Sequence, residues 1–231
     1  MELIESGLQH WKRASQPQPF FLDGRRRMTF PTRGLYAITQ TEHKFPATII
    51  KEVTAAIRGG AVLVQYRDKR PEDGLFLATA LVDVCHQHQV PLIINDHISL
   101  AAAVGADGVH LGKDDGDIAL ARKELGSQAI IGVSCYDSLE RALSAQQQGA
   151  DYVAFGRFFP SSSKPLAAPA TIATLSQAKQ ILAIPIVAIG GILPENGKAL
   201  LAAGADFLAV IGGLFDCEPE QAAQAYGALF N

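Results

Sequence analysis

The chain has 231 residues, 48% of them hydrophobic, and a formal net charge of −3. That length suits one domain with a full core, and single α/β barrels commonly run near it. The charge excludes a broad basic field for nucleic acid and a polybasic membrane patch, so small-molecule partners are expected and any binding charge must be local.

Residues 1–33 stand apart from the rest. They mix Trp11, Phe20 and Phe21 with Pro17, Pro19 and the run Arg25-Arg26-Arg27 without a sustained period, and read as an N-terminal extension, with Met28 a possible alternative start. No apolar run approaches the length of a bilayer span, and the opening stretch lacks the apolar middle of a secretory signal. Cys85, Cys135 and Cys217 are widely spaced with no CxxC pair, which argues against zinc or a disulfide framework. A soluble, cytoplasmic protein is expected, with no membrane and no nucleic-acid partner; a homo-oligomer is compatible with the sequence.

From Gly34 to residue 231 one unit recurs: a β-rich apolar run, a polar junction, a helical stretch and a Gly-Ala pair. The runs are GLYAIT (34–39), VLVQYRD (62–68), PLIIND (91–96), GVHLG (108–112), AIIGVS (129–134), YVAFGRFF (152–159), IPIVAIGG (184–191) and FLAVIGG (207–213). Near-continuous apolar character suits strands covered on both faces. The segments between them, such as residues 71–89 and 137–148, alternate apolar and polar positions at helical spacing. Eight such units most simply close into an α/β fold, a single (β/α)₈ TIM barrel. An open doubly wound sheet is the alternative, but the first strand is not followed by GxGxxG. The Gly-Ala-Asp copies read as helix-to-strand turns, with Asp107, Asp151 and Asp206 as turn or cap residues.

In such a barrel the loops after the strands share one mouth. The strand ends supply Thr39; Gln65, Arg67 and Lys69; Asn95 and Asp96; His110 and Asp115; Ser134; Arg157; Ser161, Ser163 and Lys164; and glycines 190, 191, 212 and 213. Cations, two separated carboxylates and glycine-rich ends suit an anionic ligand bridged to a divalent metal. Asp96 and Asp115 follow neighbouring strands, and paired carboxylates with phosphate oxygens and water suit Mg²⁺. The competing reading makes both of them helix N-caps. Arg67 can grip phosphate bidentately and Lys69 adds a mobile charge, unless both belong to a surface ion group with Asp68. The glycines after the last two strands fall where barrels often seat phosphate on backbone N–H groups. His86 and His88 fall on an expected exposed helix face, and His110 reads as a core histidine without a catalytic role. Cys135 has no accompanying nucleophile pattern.

VQYRDK, IIND, GADGVHLGKDD, IGVS, GADYVAFGRFFPSSSKP, PIVAIGGI and GADFLAVIGG, in this order, resemble the thiamine phosphate synthase family. The resemblance implies a TIM-barrel transferase that joins 4-amino-2-methyl-5-hydroxymethylpyrimidine diphosphate to a thiazole phosphate, releasing diphosphate in thiamine biosynthesis. It implies one Mg²⁺ held by Asp96 and Asp115, with Gln65, Arg67, Lys69, Asn95 and Lys164 around the pyrimidine diphosphate. Ser134 would lie at the pyrimidine, Ser161 and Ser163 at the anionic groups, and Gly191, Ile211 and Gly212 around the thiazole phosphate. Arg67, Lys69, Ser134 and Lys164 would serve catalysis. The chain departs from the family's usual pattern in Ser161 and Ser163 for threonines, in Arg157 for proline or histidine, and in Gly212 for a frequent serine. A thiazole tautomerase-like isomerase or a non-catalytic ligand-binding barrel would be expected to lose members of this charged set.

Overall fold

A computed structural model describes residues 28–68, 74–112, 117–160 and 169–231. Its order is β1 (Gly34–Ile38), α1 (Pro46–Arg58), β2 (Ala61–Tyr66), α2 (Gly74–Gln87), β3 (Leu92–Asn95), α3 (Ile98–Val104), β4 (Gly108–Leu111), α4 (Ile118–Leu125) and β5 (Ile130–Tyr136), then α5 (Leu139–Gln147), β6 (Tyr152–Phe155), α6 (Ile172–Ile181), β7 (Ile186–Ile189), α7 (Pro194–Ala202), β8 (Phe207–Val210), α8 (Gly212–Phe215) and α9 (Pro219–Gly227). The eight strands pair in chain order, all parallel, and β8 returns to β1 to close the barrel. Closure removes both sheet edges and excludes the open doubly wound arrangement.

The apolar strands reflect two cores. Inside the barrel, Tyr36, Leu63, Ile93, Ile130, Tyr152, Val187 and Phe207 form one cluster. Their strand neighbours Leu35, Val64, Leu92, Ile94, Val153, Ala188 and Leu208 face the helices in the other. Helix α1 shows how a helix meets that outer layer: Ile49, Val53, Ala56 and Ile57 are its buried positions, at helical spacing, and Pro46 opens its first turn.

Three Gly-Ala-Asp turns repeat one clamp at the lower end of the barrel. Asp107 donates its N–H to the Leu92 carbonyl and takes the Leu92 N–H on its carboxylate, at 3.0 and 2.8 Å. Asp151 does the same with Ile131 (2.7 and 2.7 Å), and Asp206 with Ile186 (2.8 and 2.9 Å). Each carboxylate also meets a basic side chain: His86 at 2.9 Å, Arg122 at 2.9 Å and Lys179 at 2.8 Å respectively. These aspartates are therefore turn staples, as their sequence setting implies. His86 departs from expectation, because pairing with Asp107 leaves its side chain only 14% exposed. Phe30 lies against the same end, its ring stacked on Tyr152 at 5.3 Å and tilted against Phe207 at 5.5 Å, and the Met28 N–H reaches Asp107 at 2.8 Å.

Two strands stop earlier than their apolar runs. β6 ends at Phe155 because Gly156, at φ +154°, turns the chain onto the end of β7, where a Cβ would lie 2.1 Å from the Ile189 carbonyl oxygen. Phe158 and Phe159 then donate to the carbonyls of Ile189 and Gly190 at 3.2 and 3.0 Å. β8 ends at Val210, and Gly212 and Gly213 open the short α8 instead of extending the strand.

Candidate active site

The upper end of the barrel holds a cavity of about 280 Å³ whose walls include Gln65, Arg67, Asn95, His110, Ser134, Arg157, Gly191, Ile211 and Gly212. Strand periodicity explains the gathering. Tyr36, Gln65 and His110 lie two residues along their strands from an interior position or one register step from its neighbour, so the inward phase that builds the core continues into the mouth.

Arg67 is fixed through its backbone. Thr39, fully buried, accepts the Arg67 N–H at 2.9 Å and returns its hydroxyl to the Arg67 carbonyl at 3.2 Å. At the end of β3, Asp96 has φ +64°, a conformation aspartate tolerates better than most residues, and its N–H donates to the His110 carbonyl at 2.9 Å. The Asn95 amide donates to the Asp96 carboxylate. Asp96 is not the cap of α3, whose N-cap position is His97, and the cap of α4 is Asp117, which takes the Leu120 N–H. The cap reading is thus excluded for Asp96, and α4 is capped without Asp115.

Lys69, Asp115, Ser161, Ser163 and Lys164 lie outside the described residues. Among the described residues no three His, Cys, Asp or Glu side chains converge on one point; at the end of β3 the Asp96 carboxylate lies beside the Asn95 amide. Carboxylate and amide oxygens are hard donors, and Mg²⁺ takes one or two carboxylates with ligand oxygens and water completing its shell. The residues present fit that ion.

The β7 and β8 ends form the opposite wall. Gly190 and Gly191 have φ +105° and +63°, and a Cβ on Gly191 would stand 2.3 Å from the Pro160 carbonyl oxygen. Asn196 steadies this turn by donating to the Gly191 carbonyl at 3.1 Å. Gly212 and Gly213 sit in the first turn of α8, where backbone N–H groups have no partner within the helix. A Cβ at Gly212 would meet the Asp216 carboxylate at 2.5 Å, but that is the far end of an exposed side chain free to turn away, and nothing in the structure explains the departure from serine.

Sequence reading missed the floor. Tyr36 and Tyr152 join their hydroxyls at 2.8 Å, Gln65 donates to Tyr36 at 2.8 Å, and His110 bridges Tyr152 at 3.0 Å and Ser134 at 2.9 Å. His110 is buried, as its apolar surroundings imply, yet it contacts the site. The available signal was its inward phase in β4, shared with Ser134 in β5. Arg141 was also missed; it donates to the carbonyls of Ser134 at 2.7 Å and Gly112 at 2.9 Å, tying the ends of β4 and β5 together from α5. Arg141→Met keeps the stem and removes both charged donors. It is expected to lower kcat/KM by about tenfold to a hundredfold through misplacement of Ser134, with steady-state kinetics as the check. Burial pushes the Cys135 thiol up to about 12, which disfavours the thiolate a nucleophile needs.

A closed parallel barrel with a cation, an amide-steadied carboxylate and glycine turns around one mouth is the frame of a barrel enzyme for small molecules. A thiamine monophosphate synthase family model matches residues 35–214. The thiamine-phosphate synthase of Nitrosococcus oceani (strain ATCC 19707) is 53% identical over 86% of this chain and 92% of that protein, and the one from Methylococcus capsulatus is 47% identical over 88% and 92%. Among solved structures, thiamine phosphate pyrophosphorylase from Pyrococcus furiosus superposes with a TM-score of 0.76 at 30% identity, covering 86% of this chain and 95% of that one. The chain belongs to the thiamine-phosphate synthase family.

Proposed function

We propose that this enzyme couples 4-amino-2-methyl-5-hydroxymethylpyrimidine diphosphate to 4-methyl-5-(2-phosphoethyl)thiazole, giving thiamine phosphate and diphosphate with the help of one Mg²⁺. The observation that carries this reading is the family match over residues 35–214, which spans every strand end around the cavity.

The chemistry follows from charge. The bond between the pyrimidine methylene carbon and the diphosphate oxygen breaks, the electron pair leaves with diphosphate, and the ring's amino group stabilises the remaining cation. The thiazole nitrogen then donates its lone pair to that carbon. Arg67 is suited to hold the leaving diphosphate as its charge grows, with Lys69 and Lys164 as further cations. Asp96 and Asp115 would hold Mg²⁺, which supplies charge neutralisation on the leaving group when bound. Gln65, Asn95 and Ser134 would orient the pyrimidine, while Ser161 and Ser163 would serve the anionic groups. Gly191, Ile211 and Gly212 would enclose the thiazole phosphate, with N–H groups as donors. The protein's main task is then to align two rings and keep water from the cation, and no covalent protein intermediate is needed.

A cytoplasmic setting belongs to the same reading, supported by the three free cysteines and the biosynthetic nature of the relatives. No helix among the described residues is long and apolar enough to cross a membrane. The test mixes the purified protein with both phosphorylated halves, with and without Mg²⁺, and follows thiamine phosphate and diphosphate together. Equal, Mg²⁺-dependent appearance of both products is expected; absence of coupling at saturating Mg²⁺ overturns the reading.

A further inference from the structure

The floor of the cavity is a continuous line of hydrogen bonds through five side chains on five strands. It runs Gln65 to Tyr36 (2.8 Å), Tyr36 to Tyr152 (2.8 Å), Tyr152 to His110 Nδ1 (3.0 Å) and His110 Nε2 to Ser134 (2.9 Å). Each phenol has one proton and each neutral imidazole one N–H, so if every proton of the line is used within it, the direction of one bond settles the rest. The Gln65 Nε2 group can only donate, and it donates into the Tyr36 oxygen. The Tyr36 proton therefore goes to Tyr152, and the Tyr152 proton to His110 Nδ1. The imidazole proton is left on Nε2, which donates to Ser134. Burial pushes both phenols up, so each keeps its proton.

We infer that the Gln65 amide sets a fixed direction along this line and that Tyr36, Tyr152 and His110 are positioning residues, which hold Ser134 as a hydroxyl donor and Gln65 as a carbonyl acceptor toward the ligand ring. Ser134 Oγ receives the imidazole N–H, and its own proton is directed to a ligand acceptor. Gln65 uses its NH₂ on Tyr36, and its carbonyl oxygen is the group it offers to a ligand N–H. Both residues line the cavity. An acceptor opposite an amino donor matches a ring nitrogen beside an exocyclic amine. It mismatches the corresponding oxo ring, where the ring nitrogen carries the proton and the exocyclic atom accepts. This assignment of ring specificity rests on the pyrimidine substrate proposed above, whereas the direction of the line is a property of the free protein.

Two measurements separate these levels. Nitrogen NMR of ¹⁵N-histidine-labelled free protein, with the His110 signals identified by their loss in His110→Gln, should give the Nε2–H tautomer alone. Gln65→Met keeps the length and deletes the amide, so it should leave the two tautomers mixed. An Nδ1–H tautomer in the unaltered protein, or an unchanged Nε2–H form in a folded Gln65→Met, overturns the inference. For the ligand, the unaltered enzyme should prefer the 4-amino over the 4-oxo pyrimidine diphosphate in kcat/KM by on the order of 10⁴-fold. Tyr152→Phe, which cuts the line in the middle, should shrink that ratio by about tenfold or more. A ratio that Tyr152→Phe leaves intact overturns the specificity role. If neither pyrimidine couples, the substrate reading falls and takes the specificity role with it, while the tautomer measurement still decides the direction of the line.

Discussion

Asp96→Asn is expected to lower Mg²⁺-dependent coupling by about 4 kcal/mol of transition-state stabilisation, on the order of a thousandfold. The substitution is chosen for its backbone. Position 96 has φ +64°, which asparagine adopts as readily as aspartate, whereas alanine would add strain to the loss of charge. The 2.9 Å bond from the backbone N–H to the His110 carbonyl is independent of the side chain. What disappears is the anionic oxygen that the Asn95 amide steadies. The melting temperature should therefore stay within about 2 °C, consistent with a surface-type cost of about 0.5 kcal/mol. The check is diphosphate release over a Mg²⁺ titration, in which the variant should need more metal and reach a lower plateau. A plateau and Mg²⁺ requirement equal to those of the unaltered enzyme would remove Asp96 from the metal site.

The largest stability effect is expected at the other end of the barrel. Asp107 is fully buried and receives the N–H groups of Leu92 and Met28 at 2.8 Å each and His86 at 2.9 Å. Asp107→Ala strands these partners where water does not easily reach, at a cost of about 3–5 kcal/mol. A loss of that size corresponds to a melting temperature lower by about 10 °C for a chain of this size. Asp206→Ala is the control, since its clamp partner Lys179 is 49% exposed and the same deletion there should cost only about 1 kcal/mol. Asp107→Asn should fall between the two, because its amide oxygen can still serve Leu92 while its NH₂ opposes the donors beside it. Thermal and urea unfolding check the series, and equal losses for Asp107→Ala and Asp206→Ala would contradict the role given to burial.

The architecture was legible because two-sided burial leaves a strong imprint: eight apolar runs separated by helical segments and glycine turns, with no GxGxxG after the first, favoured a closed barrel over the open doubly wound sheet. Strand ends were less so. Phe158 and Phe159 extend an apolar run, but their backbone bonds go to β7 as a loop, a tertiary arrangement that no local period encodes. At the mouth, Gln65, Arg67, Asn95 and Ser134 stood out because polar residues are conspicuous at the end of an apolar strand, and all four line one cavity. Tyr36 and Tyr152 did not stand out, and His110, although named at a strand end, read as a core histidine, since a ring inside a strand looks like packing until its polar atom is located. Arg141 was hidden on a helix, where cations are ordinary, and only the fold shows that it reaches the carbonyls of two strand ends.

The three aspartate clamps join β3 to β4, β5 to β6 and β7 to β8, so the barrel base is divided into two-strand quarters. In the remaining quarter Val62 takes the place of the aspartate and packs against Gly34, where a Cβ would lie 2.6 Å from one of its methyl groups. Three quarters thus carry a carboxylate clamp at the base, and in the fourth packing stands in its place. That asymmetry leaves the base of the β1–β2 pair without a carboxylate, and backbone amides there should exchange faster than those at the bases of the three clamped pairs.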